Sequence, residues 1–214
     1  DGFRLKDAKV AIVGLGLMGG SLALALKGAC AALLGIDPDL AALSLALRQN
    51  IVDQAESDPA NLLPQADLVI LAAPVPVILA LLQKLPEYTS NSCIVLDLGS
   101  TKQAIVEQMD RLPKRFDSLG GHPICGKEKL TLANAERTLY YGAPFILTPM
   151  ARTTSRALSA AQQVIAAIGA KAITLDAAEH DRILAATSHL PFLLSSALAL
   201  ATPEECAPLV GPGF

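Results

Sequence analysis

The stretch KVAIVGLGLMGGSLALALK, residues 9–27, constrains the fold more than any other part of the chain. A four-residue apolar run, Val10–Val13, closes the strand-like segment KVAIV, and Gly14, Gly16 and Gly19 follow in the spacing Gly-x-Gly-x-x-Gly. An apolar segment of helical composition begins at once. Between a strand and a helix, the first glycine permits a tight turn, the second lets a pyrophosphate approach the backbone, and the third lets helix and strand pack closely. The helix N-terminus, opened by Leu17 and Met18, then turns its N–H groups towards the phosphates. Gly14, Gly16, Leu17, Met18 and Gly19 are therefore candidate dinucleotide-binding residues. Asp37, at the end of the next apolar run, is placed to bind a ribose 2′-hydroxyl and to repel a 2′-phosphate, so NAD is expected in preference to NADP. A helix N-cap role for Asp37, ahead of Pro38, is compatible with this.

The rest of the chain repeats the alternation of short apolar runs and Ala/Leu-rich stretches. Strands are expected at 9–13, 33–37, 68–72, 94–98, 117–119, 145–147 and 171–174, and helices at 19–27, 38–49, 76–85, 102–109 and 155–168. This pattern of βαβ units predicts an α/β fold with a Rossmann-type, doubly wound, mostly parallel sheet. After Thr174 the alternation stops, and Asp176 with Glu179 gives a capping-box-like start to a long apolar helix reaching about Ala201. Pro191 inside it predicts a kink between Thr187 and Pro191. Residues 1–175 are read as the NAD-binding domain and 176–214 as the incomplete beginning of a helical substrate and dimerisation domain. The apolar face of that helix needs cover, from further chain or a second subunit, and a homodimer is expected.

With 52% hydrophobic and 4% aromatic residues, the interior must be built of Ala, Leu, Ile and Val, which suits helices on a buried parallel sheet. A net charge of −3 without a basic stripe argues against nucleic-acid or anionic-membrane partners. The longest apolar stretch, 68–82, contains two prolines and falls short of the roughly 20 residues that span a bilayer. No basic leader opens the chain at Asp1, and a cytoplasmic enzyme is expected. Cys30, Cys93, Cys125 and Cys206 lie far apart without metal-ligand spacing, so no metal is expected and the thiols are read as reduced and mostly buried.

Chemistry points to His122, in LGGHPICG, where Gly120 and Gly121 leave the backbone slim just after a short strand. An imidazole with an ordinary pKa near 6.5 can take a proton from a substrate hydroxyl as hydride leaves the same carbon. A structural histidine is the alternative. Ser100, closing VLDLGS, could orient His122, bind the same substrate oxygen, or cap the helix near Lys102. Ala73 and Pro74 fall at the carboxyl edge of the sheet, small enough for a cofactor to lie across them or simply to form a turn. His189 sits in the region opened by Pro191, and Arg182 on the same helical face either meets a substrate carboxylate or is a solvated charge. Cys125 beside His122 suggests a nucleophilic pair, but no third group is placed to orient it.

In order along the chain, IVGLGLMGGSL, LDLGSTK, GGHPICGKE, GAPFILTP, EHDRILAATSHLPF and the closing GPGF resemble the prephenate/arogenate dehydrogenase family, over nearly the whole sequence. The resemblance implies that His122 hydrogen-bonds the substrate ring hydroxyl, that Ser100 assists it, and that His189 helps position the substrate. It also implies hydride transfer to NAD coupled to loss of the ring carboxylate as carbon dioxide, and a homodimer completed beyond GPGF by an arginine-containing segment and a helical domain. Two positions depart from the family pattern: Phe192, where a second histidine often follows SHLP, and the segment KEKLTLANA, which lacks a glycine. The sequence leaves prephenate and arogenate open as substrates. β-Hydroxyacid dehydrogenases and imine reductases share the glycine motif, and a non-catalytic NAD-sensing module is the reading from another class.

Overall fold

The structure, a computed structural model, describes residues 2–211; Asp1 and Pro212–Phe214, including the end of the GPGF segment, lie outside the described residues. Eight strands form the sheet: β1 Lys9–Val13, β2 Ala32–Ile36, β3 Gln54–Glu56, β4 Leu68–Leu71, β5 Cys93–Asp97, β6 Phe116–Pro123, β7 Pro144–Thr148 and β8 Lys171–Thr174. Their order is β3-β2-β1-β4-β5-β6-β7-β8, a doubly wound arrangement whose switch point lies between β1 and β4. Pairing is parallel from β3 through β6, antiparallel between β6 and β7, and parallel again between β7 and β8.

Alternation along the strands divides the core into two layers. Val10, Ile12, Leu68, Ile70, Ile94 and Leu96 pack on one face of the sheet, whereas Ala11, Val13, Val69, Leu71, Cys93 and Val95 pack on the other. Helices α1 Leu17–Leu26, α2 Leu40–Arg48, α3 Pro59–Leu62, α4 Val75–Tyr88, α5 Gln103–Asp110 and α6 Ser155–Ala167 follow the strands. Strands buried on both faces read as continuous apolar runs, which is why most were visible in the sequence.

Three local readings change. β3 was not anticipated, because Gln54–Glu56 is short and polar and is defined by its pairing with β2. α2 starts at Leu40 with Asp39 as its N-cap, the Asp39 side chain accepting from Ala41 N–H, so Asp37 does not cap it. β6 is much longer than the expected 117–119, so His122 lies within a strand rather than after one. The first half of β6 pairs with β5 (Phe116 to Leu119) and the second with β7 (Gly120 to Pro123). The paired glycines are required by close approach: a Cβ at Gly120 would stand 2.1 Å from Thr148 Oγ1, and one at Gly121 would stand 2.7 Å from the Asp97 carbonyl oxygen.

Beyond β8, α7 Ala177–Leu184 and α8 Leu190–Ala201 are joined by a π turn, Ala185–His189, into one continuous helix. Asp176 caps its start, accepting from Ala178 and Glu179 N–H. This π turn ends two residues before Pro191, in the stretch where a kink was expected. By length and composition the 25-residue helix is able to cross a membrane, with a mean hydropathy of 1.6. Its first turns, however, pack on α5, while Phe192, Leu193, Leu194 and Leu198 of α8 are exposed.

Candidate active site

A crevice of about 830 Å³ opens along the carboxyl edge of β1, β2, β4 and β5. Gly14, Gly16, Leu17, Met18, Asp37, Ala73, Pro74 and Ser100 all line it, so the structure brings together residues spread over 87 positions of sequence. Gly19 sits beneath: a Cβ there would stand 1.8 Å from the Gly14 carbonyl oxygen, which leaves the third motif glycine no replacement. Gly14 has φ +100° and would bring a Cβ within 2.4 Å of Ala72 O, so the turn that aims α1 at the crevice depends on both positions.

Two details differ from the simple motif. Asp37 is already engaged: one carboxylate oxygen accepts from Leu15 N–H (2.6 Å) and the other from Asp39 N–H (2.8 Å), which clamps the glycine turn to the end of β2. Leu17 N–H, the first donor of α1, donates to Leu130 O (2.8 Å) and is not free for a phosphate in this arrangement.

His122 stands beyond the Ser100 end of the crevice. It does not line the crevice; the bond from Gly121 N–H to Asp97 holds the residue before it to the end of β5, from which Gly99 and Ser100 follow. Its Nδ1 is 2.9 Å from Nε2 of His180, a ring that is completely buried. The rings meet edge-on, with centroids 5.1 Å apart and planes at 67°. His180 Nδ1 in turn lies 2.7 Å from Asp181 Oδ1. That carboxylate also accepts from Lys102 N–H (2.7 Å) and Gln103 N–H (3.0 Å), supplying the N-terminal cap that α5 lacks in its own side chains. Although burial works against it, the bonds from Gln103, His180 and Lys102 hold the Asp181 carboxyl below the usual range. Burial, the Lys102 charge, and the nearby His180 and His189 push the His122 imidazole down to about 3. The ring is therefore neutral at physiological pH, and not poised near 6.5 as the sequence suggested.

Beneath this row lies a buried ion pair. Lys102, with no exposed surface, donates from Nζ to Asp97 Oδ2 and to Gly121 O (2.6 Å). Asp97 also accepts from Gly99 N–H (2.7 Å) and Gly121 N–H (3.1 Å), joining the end of β5 to the residue before His122. Burial pushes the Lys102 ammonium down while Asp97 pulls it back up.

The remaining candidates separate. Ser100 lines the crevice but neither bonds His122 nor caps α5, the cap being Asp181. His189 is half-buried on the π turn, near enough to influence His122. Arg182 forms an exposed pair with Glu179, the bland alternative. Burial raises the Cys125 thiol to about 11, so it offers no thiolate beside His122. All four cysteines are unpaired, and Cys206 is exposed rather than buried. The described residues contain no cluster of metal-ligating side chains. Sequence reasoning missed Asp97, Lys102, His180 and Asp181. Asp97 carried a signal, a charge closing a wholly apolar strand; the other three carried none that local pattern could reveal.

A glycine turn at the switch point and a crevice along the carboxyl edge define a Rossmann-type dinucleotide-binding domain, with a neutral imidazole near one end as a candidate reacting group. The family profile described as "Prephenate dehydrogenase, nucleotide-binding domain" matches residues 22–174. The prephenate dehydrogenase of Bacillus subtilis is 32% identical over 213 residues, covering 97% of this chain and 57% of that protein. Among solved structures, prephenate dehydrogenase from A. aeolicus in complex with hydroxyphenyl propionate and NAD+ superposes with a TM-score of 0.82 at 32% identity, covering 92% of this chain and 71% of that one. Synechocystis arogenate dehydrogenase gives 0.83 at 34%, covering 96% and 76%. The chain belongs to the prephenate dehydrogenase family, and it spans about half the length of the curated relatives it matches.

Proposed function

We propose that this chain is the NAD-binding part of a dehydrogenase that oxidatively decarboxylates prephenate to 4-hydroxyphenylpyruvate, a step towards tyrosine. The observation that carries the reading is the neutral imidazole of His122 held at the carboxyl end of β6, next to the end of the crevice that fits a dinucleotide. NAD, when bound, supplies the hydride acceptor. His122 accepts a hydrogen bond from the hydroxyl on the ring carbon that loses hydride, stabilising positive charge as it develops there. The departing ring carboxylate leaves its bonding pair to complete the aromatic ring, and the hydroxyl keeps its proton in the phenol product. Ser100 and His189 are assigned to positioning the substrate, and Gly14, Gly16, Met18, Gly19, Asp37, Ala73 and Pro74 to the cofactor; Leu17 joins them once its N–H leaves Leu130. The Asp37 carboxylate at the β2 edge favours NAD over NADP.

The same reading divides the chain at 175 and 176, into the dinucleotide domain and the start of a helical substrate and dimerisation unit. Between 185 and 201 the continuous helix has no fully buried residue. We assign the exposed apolar side chains of α8 to a homodimer contact rather than to lipid, because Asp181 ties the start of the same helix to α5. A cytoplasmic location suits the unpaired thiols.

The test is NADH formation by the protein carrying its full native chain, offered prephenate and arogenate with NAD and with NADP. Turnover of prephenate with NAD is expected. Preference for arogenate would retain the mechanism and change the substrate; NAD binding with no turnover of either would replace the enzyme by a sensing module.

A further inference from the structure

The row His122–His180–Asp181 has a direction that its chemistry imposes. An ionised carboxylate accepts and cannot donate, so His180 Nδ1, 2.7 Å from Asp181 Oδ1, must carry a proton. With His180 neutral, its Nε2 is then a bare lone pair, and the only partner 2.9 Å away, His122 Nδ1, must carry the proton between them. His122 Nε2 is left unprotonated, and among the described residues nothing donates to it or accepts from it. The opposite arrangement requires a doubly protonated His180 that donates to His122 Nδ1. It would turn His122 Nε2 into a donor, unable to accept from a substrate hydroxyl.

We infer that His180 and Asp181 are positioning residues that lock His122 in the tautomer with Nδ1 protonated and Nε2 bare. Asp181 acts through His180, and two of its other acceptor sites are filled by the backbone of Lys102 and Gln103, which holds the carboxylate in place. The start of α5 and the start of α7 are thereby joined at the group that sets the state of the reacting imidazole. The tautomer follows from the geometry with His180 singly protonated; its effect on rate rests on the function proposed above.

The histidines of this chain number three, His122, His180 and His189, so imidazole nitrogens of 15N-histidine-labelled protein are assignable by single substitutions. In the unsubstituted protein at pH 7.5, His122 and His180 should each show a protonated Nδ1 and an unprotonated Nε2. In Asp181→Asn and His180→Gln, His122 should shift towards the Nε2-protonated form that free imidazole side chains prefer. The prephenate rate, kcat, should fall roughly 10- to 100-fold, with KM for NAD unchanged within about twofold. A doubly protonated His180, or a His122 that keeps its bare Nε2 in both variants, overturns the inference. If either variant fails to fold, the unsubstituted spectrum still decides it. Should the protein not turn over prephenate at all, the functional reading fails while the imidazole spectrum continues to test the relay.

Discussion

Replacing Lys102 by methionine tests whether the buried pair with Asp97 holds the reacting edge together. Both side chains are fully buried, so Lys102→Met leaves the Asp97 carboxylate uncompensated, with only Gly99 and Gly121 N–H to solvate it. Gly121 O simultaneously loses its donor Nζ. Removing one partner of such a pair costs about 3–5 kcal/mol, a large part of the roughly 5–15 kcal/mol that keeps a domain folded. Replacing both groups, with Asp97→Asn alongside Lys102→Met, removes the stranded charge and should return stability to within about 1–2 kcal/mol of the starting protein, since buried pairs are frequently exchangeable for neutral groups of similar volume. Asp97→Asn alone strands the Lys102 ammonium at a similar cost, so the two single effects exceed the double by about 4–9 kcal/mol, which is the coupling the cycle predicts. Equilibrium urea unfolding of the four proteins, followed by circular dichroism without cofactor, measures it. A single Lys102→Met cost below about 1 kcal/mol, or additive single and double effects, would show that Asp97 is adequately solvated by the two glycine amides and that the ion pair is incidental.

His122→Asn should lower the prephenate rate by roughly 100-fold or more while leaving NAD affinity intact, as measured by steady-state kinetics and NAD titration. Gly19→Ala, whose Cβ would meet Gly14 O at 1.8 Å, should abolish NAD binding in a calorimetric titration, because the glycine turn and the start of α1 cannot both keep their places. Stability should also depend on pH through His122. Its native-state value of about 3 lies below the ordinary value of 6.5, so the neutral ring favours the fold fully above about pH 6.5, and this contribution is lost as pH falls towards 3. His122→Gln should flatten that part of the urea-unfolding profile, leaving the steeper loss at lower pH, where Asp181 becomes protonated.

The nucleotide half of this protein was legible because its signals are local. Apolar strands such as VAIV and LVIL, followed by short turns and Ala/Leu helices, are recognisable over a few residues; the requirement for glycine at 19 follows from contact with Gly14 O within one βα unit, whereas that at 14 also involves Ala72, brought in by β4. Ala73 and Pro74 were placed at the crevice from their positions at a strand end, and Asp37 from its strand end and its spacing from the glycine motif, since in a parallel sheet all carboxyl ends share one edge; Ser100, expected beside His122, lines the crevice as well. The state of the site was a different matter. β3 exists because β2 offers it a ladder, not because Gln54–Glu56 has strand character. His180 lies 58 residues from His122, and Asp181 caps a helix that begins 78 residues earlier, so no window of sequence could show that the three form a row. The ordinary pKa that sequence assigns to an imidazole was displaced by burial and by a lysine whose own charge is hidden between two strands. That residue 122 is an imidazole is a property of the chain; its protonation and direction come from the neighbours that folding brings to it, because burial and neighbouring charge depend on distance in space and not on distance in sequence.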